Sequence, residues 1–84
     1  MRYYLLVCRS LTYAQRVLRL LERSGLTAVM VRTPKLSVNE SCGYSVKVRE
    51  DKLSAAVAVL RAAQFMPKRL LRLSDDGDVT EVAF

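Results

Sequence analysis

Histidine is absent from the 84 residues, so no imidazole is available as a general base and zinc sites of the Cys/His kind are excluded. Cysteine is scarce: Cys8 and Cys42 are too few ligands for a structural zinc within one chain, and no metal site is expected. No uninterrupted apolar stretch approaches the ~18 residues of a membrane span, and the apolar run after Met1 and Arg2 is far too short for a signal segment. The expectation is a cytoplasmic protein with no membrane role. Two cysteines there are expected to stay free, reactive or redox-active, not joined in a structural disulfide. Glycine and proline are few, no low-complexity tract occurs, and half the residues are apolar, which argues against disorder. Phosphate loops, nucleophile elbows and paired catalytic carboxylates are all missing. Nothing implies a cofactor or an enzyme with turnover of its own.

Negative charge is missing from most of the chain. Residues 74–84 carry Asp75, Asp76, Asp78 and Glu81 without any Lys or Arg. The first 73 residues therefore hold 14 basic and 4 acidic side chains, a net +10 within an overall +6. A basic body with a short acidic end favours acidic partners or polyanions, although charge speaks to steering and solubility more than identity. The three aspartates surround Gly77 and read as turn chemistry.

One domain, residues 1–84, is expected at this length. The run from Tyr3 to Cys8 is apolar at every position, which suits a central strand. Ser10 and Thr12 offer helix caps, Thr12 and Gln15 have capping-box spacing, and Ala14, Val17, Leu18 and Leu21 form an apolar stripe. Opposite that stripe Arg16, Arg19 and Arg23 mark a solvated face, with a basic surface for RNA or DNA as the functional alternative. Gly25 ends the helix, and residues 26–31 supply a second strand that Pro34 stops. In the third strand Tyr44, Val46 and Val48 share one face, while Ser45, Lys47 and Arg49 share an exposed one. Asp51 is placed to cap a second helix with its stripe at Leu53, Ala56, Val57, Leu60 and Ala63, broken by Met66 and Pro67. Residues 68–73 form a fourth strand, and Asp76-Gly77 turns the chain into a fifth over 78–84, so that 74–84 is a C-terminal hairpin extension.

The order is βαββαβ with a strand appended, an α+β pattern expected to fold as a ferredoxin-like split βαβ sandwich. In such a sheet the first and third strands are central, adjacent and antiparallel. Cys8 at the end of the first and Cys42 before the third are then expected at one rim, where Cys8 is either packing or a resolving thiol.

The polar loop 33–45 carries the chemistry. It delivers Cys42 beside Gly43, preceded by Ser41, with Arg32, Lys35 and Lys47 nearby in sequence to favour a thiolate. The bland alternative is a small buried hydrophobe at a strand start. RNA binding is disfavoured: Gly43-Tyr44-Ser45-Val46-Lys47-Val48 lacks the aromatic-rich run by which sheet-face readers stack bases.

With its first strand and Ser/Thr helix start, then Thr33-Pro34-Lys35, a Ser/Asn-rich loop, and Ser41-Cys42-Gly43-Tyr44-Ser45 ahead of an alternating strand, residues 2–73 resemble the DUF3343 family of bacterial Se/S carrier protein-like domains. The resemblance implies a ferredoxin-like domain whose Cys42 holds sulfur or selenium, as a persulfide or selenosulfide, and passes it to a partner protein. Gly43 would give access, with Ser41, Lys35 and Arg32 supporting. Lys35 stands where that family's pattern has arginine, keeping the charge but losing the bidentate fork. The rival expectation is a regulatory or scaffold module that binds through its sheet face, or dimerises through the strand at 79–84, with Cys42 structural.

Overall fold

The computed structural model describes residues 2–33 and 43–82. The chain alternates β1 (Tyr3–Cys8), α1 (Leu11–Arg23), β2 (Val29–Arg32), β3 (Tyr44–Arg49), α2 (Leu53–Ala62), β4 (Arg69–Leu73) and β5 (Val79–Val82). It is an α+β fold: five strands in the order β2-β3-β1-β4-β5, every neighbouring pair antiparallel, with two helices. The sheet thus has one strand more than the four of a split βαβ sandwich.

β1 lies between β3 and β4, which explains why its sequence does not alternate. Leu6 pairs with Val46 on one side and Leu70 on the other, and with Cys8 and Val48 these build the core beneath the helices. Ala14, Val17 and Leu21 of α1 and Ala56 and Leu60 of α2 close that core from above. The intervening residues of β1 point to the opposite face, where Leu5, Val7 and Leu71 form a second buried cluster flanked by Val31 and Val79. A central strand buried on both faces has no position at which a polar residue is favoured.

Both helices end in the same way, which corrects the expected boundaries. At the end of α1 Gly25 takes φ +81°, its N–H bonds the Glu22 carbonyl at 3.0 Å, and Leu26 N–H bonds Leu21 at 2.9 Å. Leu26 is therefore committed to closing the helix and packing on the core, and β2 begins at Val29, three residues later than expected. At the end of α2 Gln64 takes φ +56°, with Gln64 N–H on Arg61 and Phe65 N–H on Leu60. This closure, reached before Pro67, ends the helix at Ala62, and it holds a non-glycine residue in a conformation that costs about 1 kcal/mol.

At the helix starts one of the expected caps is used and two are not. Ser10 caps α1, its Oγ accepting from the Tyr13 N–H at 3.1 Å, whereas Thr12 lies inside the helix. Asp51 caps nothing: it lies in a 3₁₀ turn, Glu50–Lys52, ahead of α2 and faces Arg49 at 3.2 Å. The β4–β5 connection is wider than a two-residue turn. Ser74 N–H bonds the Asp78 carbonyl, and the Ser74 hydroxyl bonds Asp76, holding its carboxyl below the usual range. Because Asp76 is fully exposed, this hydrogen bond orders the turn and adds little to the fold.

Candidate functional site

Cys42, Ser41 and Lys35 lie outside the described residues; the described residues that bracket them are Thr33 and Gly43. Thr33 N–H donates to the Gly43 carbonyl at 2.8 Å, extending the β2–β3 ladder by one step beyond Arg32 opposite Tyr44. On the other side Tyr44 faces Cys8, and a Cβ built on Gly43 would lie 3.6 Å from the Cys8 carbonyl oxygen and 3.7 Å from Thr33 Oγ1. These are ordinary contact distances, so neither space nor a positive φ demands glycine at 43. Below this rim the Thr33 and Ser45 hydroxyls bond each other at 2.6 Å, both buried. Ser45 thus departs from the exposed face expected for it.

Cys8 does sit at the rim in register, but its side chain belongs to the core under the helices, 2% exposed, with the thiol donating to the Leu6 carbonyl at 3.4 Å. Burial pushes the thiol up to about 11, which favours packing over thiolate chemistry. Two outcomes follow. Iodoacetamide near neutral pH should leave Cys8 unlabelled in the folded protein and label it after unfolding, read by peptide mass. The thiol's pKa is higher folded than unfolded, so the stability it contributes is present below its ordinary value of 9.0 and is lost as pH rises towards 11. Denaturation midpoints should accordingly fall on the alkaline side, and less so for Cys8→Ala.

The strand order gathers cations that are scattered in sequence. Arg9 follows Cys8 out of β1, Arg32 ends β2, and Lys68 precedes β4, with its N–H on the Val7 carbonyl at 2.7 Å. All three are exposed at the end of the sheet where Gly43 enters β3. The N-terminus of α1 also opens here, and its first turn holds no acidic residue. Of the described carboxylates, Glu50, Asp51, Asp75, Asp76 and Asp78 lie at the far end, beyond the pairs Tyr3 with Arg49 and Tyr3 with Leu73, while Glu81 of β5 lies towards the rim and faces Arg69 at 3.4 Å. Lys47, five positions from Cys42 in sequence, is not part of this rim. It lies on the opposite face with its ammonium 4.3 Å from the Tyr3 ring centroid. Arg9 and Lys68 were missed by sequence reasoning, and the signal that finds them is the antiparallel register itself.

Among the described residues no group of three or more Cys, Asp or Glu is placed to hold a metal, and no helix is long and apolar enough to cross a membrane. A comparison with curated proteins finds no match. A family model described as "Putative Se/S carrier protein-like" matches residues 3–72, from the start of β1 to the penultimate residue of β4. The chain belongs to this Se/S carrier protein-like family.

Proposed function

We propose that this chain is a sulfur or selenium carrier whose reactive atom is Cys42 Sγ, and that it passes its cargo to a partner protein without turnover of its own. The observation that carries the reading is the charge of the rim. Cys42 immediately precedes Gly43, and Gly43 is hydrogen-bonded into a sheet end that gathers Arg9, Arg32, Lys68 and the positive end of α1. A thiolate is the species that accepts and transfers sulfur, and such surroundings favour it over the thiol. Family membership agrees with this chemistry. Lys35 and Ser41 belong to the same loop and are assigned supporting roles, while Cys8 is assigned to packing. The strand order β2-β3-β1-β4 within the sheet supports reading the fold as a ferredoxin-like split βαβ sandwich with β5 appended at one edge.

Loading is a thiol exchange. The Cys42 thiolate attacks the outer sulfur of a donor persulfide; one S–S bond forms on Cys42, the donor's S–S bond breaks, and the donor leaves as a thiolate. No electrons are gained or lost overall. Incubation with a cysteine desulfurase and cysteine, followed by intact mass, should show an adduct of ~32 Da that Cys42→Ser abolishes and Cys8→Ala retains. An unmodified wild-type mass would remove the main support for the reading.

A further inference from the structure

Between the C-terminal part of α1 and the end of α2 runs a groove of about 300 Å³, lined by Arg16, Arg19, Leu20, Arg23, Ala63 and Phe65. Its floor is apolar: Leu20 and Phe65 are half-buried against the core, and Ala63 is exposed. Its edge is wholly cationic. Arg16, Arg19 and Arg23 recur at i, i+3 and i+7, so their guanidinium groups rise from one side of α1. None of the three is paired with a described carboxylate, and all are exposed. The solvated arginine face expected from sequence is thus the wall of a groove, because Leu20, outside the buried stripe, and Phe65, presented by the left-handed turn at Gln64, make a floor beside it.

We infer that this groove docks a partner protein through an acidic amphipathic segment, whose carboxylates meet the three arginines while an apolar side chain between them covers Leu20, Ala63 and Phe65. The charge pattern selects the acid and the floor selects the apolar anchor; a nucleic acid backbone would use the edge and gain nothing from the floor. The position of the groove suits the proposed carrier. Phe65 stacks on Tyr13 with ring centroids 4.4 Å apart, and the Arg9 guanidinium lies 5.3 Å from the Tyr13 ring centroid, so a row of side-chain contacts links the floor of the groove to Arg9 at the cationic rim. That the docked partner is a sulfur donor or acceptor rests on the carrier reading; the groove's own chemistry does not.

The test uses the full chain and a fluorescent synthetic peptide of about 14 residues, roughly 20 Å of helix, with glutamates flanking one face of leucines. Anisotropy should report saturable binding that weakens between about 50 and 500 mM salt. A peptide of equal charge with serine replacing leucine should bind at least roughly tenfold more weakly. Arg16→Glu with Arg19→Glu should weaken the leucine peptide by roughly tenfold or more, and Ala63→Gln, which fills the floor without removing core atoms or changing the charge, should do likewise, with circular dichroism unchanged. Cys42→Ser should bind as wild type does, so loss of sulfur loading and loss of docking are read separately. Absence of binding, equal binding of the serine peptide, or equal suppression by oligouridylate would overturn the inference. So would self-association in sedimentation that neutralising Asp75, Asp76 and Asp78 abolishes, since the occupant would then be a second copy.

Discussion

Leu6→Ala is expected to destabilise the protein by about 2–5 kcal/mol, a large part of the roughly 4–13 kcal/mol available to a chain of this length. Leu6 is fully buried in the central strand, opposite Val46 and Leu70, and the helix residues Val17, Leu21, Ala56 and Leu60 close the same core cluster. Two neighbouring strands and two helices fix its surroundings, so little can move in to fill the space left behind, and the cavity adds to the lost transfer energy. Urea denaturation of Leu6→Ala beside Val29→Ala makes the measurement. Val29 is 57% exposed at the sheet edge, and its truncation should change stability by no more than about 0.5 kcal/mol. Equal midpoints for the two variants would contradict this description of the core.

The second large effect is expected at the Thr33–Ser45 hydroxyl pair. Ser45 is inaccessible to solvent and Thr33 is 9% exposed, with 2.6 Å between their oxygens. Ser45→Ala leaves the Thr33 hydroxyl dry and without its partner, which costs about 1–3 kcal/mol, and Thr33→Val leaves Ser45 in the same position. The double variant removes both polar groups at once. It should therefore be less destabilised than the sum of the singles, with a coupling of about 0.5–3 kcal/mol. Strict additivity would mean that the bond contributes nothing. The pair matters for the site because Thr33 also holds Gly43 by its backbone, so amide exchange at Thr33 should accelerate in either single variant.

The order of elements was legible because each carries its own period: unbroken apolar residues in β1, a 3.6-residue stripe in α1, alternation in β3. The boundaries that shifted did so where one residue had two uses. Leu26 reads as strand by composition but is spent on the helix closure at Gly25; Asp51 reads as a cap but pairs with Arg49. Ser45 reads as exposed because alternation assigns polar residues to solvent, and only the pairing of β2 with β3 brings a second hydroxyl to it. At the candidate site, sequence distance could name Arg32 and Lys35 around Cys42, but Arg9 and Lys68 are 33 and 26 positions from it, and only strand register unites them. Lys47 shows the converse, since it is near Cys42 along the chain yet sits within β3 opposite Leu5, against the Tyr3 ring.

The burial of Cys8 bears on where a loaded cargo can go. A persulfide is discharged by the next thiolate that reaches it, and a second cysteine within the same molecule would compete for that step by closing an internal disulfide. Here the only other thiol lies under two helices, protonated and bonded to the Leu6 carbonyl. On the carrier reading, discharge within the molecule would require the core to open, whereas discharge to another protein requires only an encounter. On that reading, the same packing that makes Cys8 a small hydrophobe would also confer retention, since cargo taken up on Cys42 would wait for a thiolate from a separate molecule.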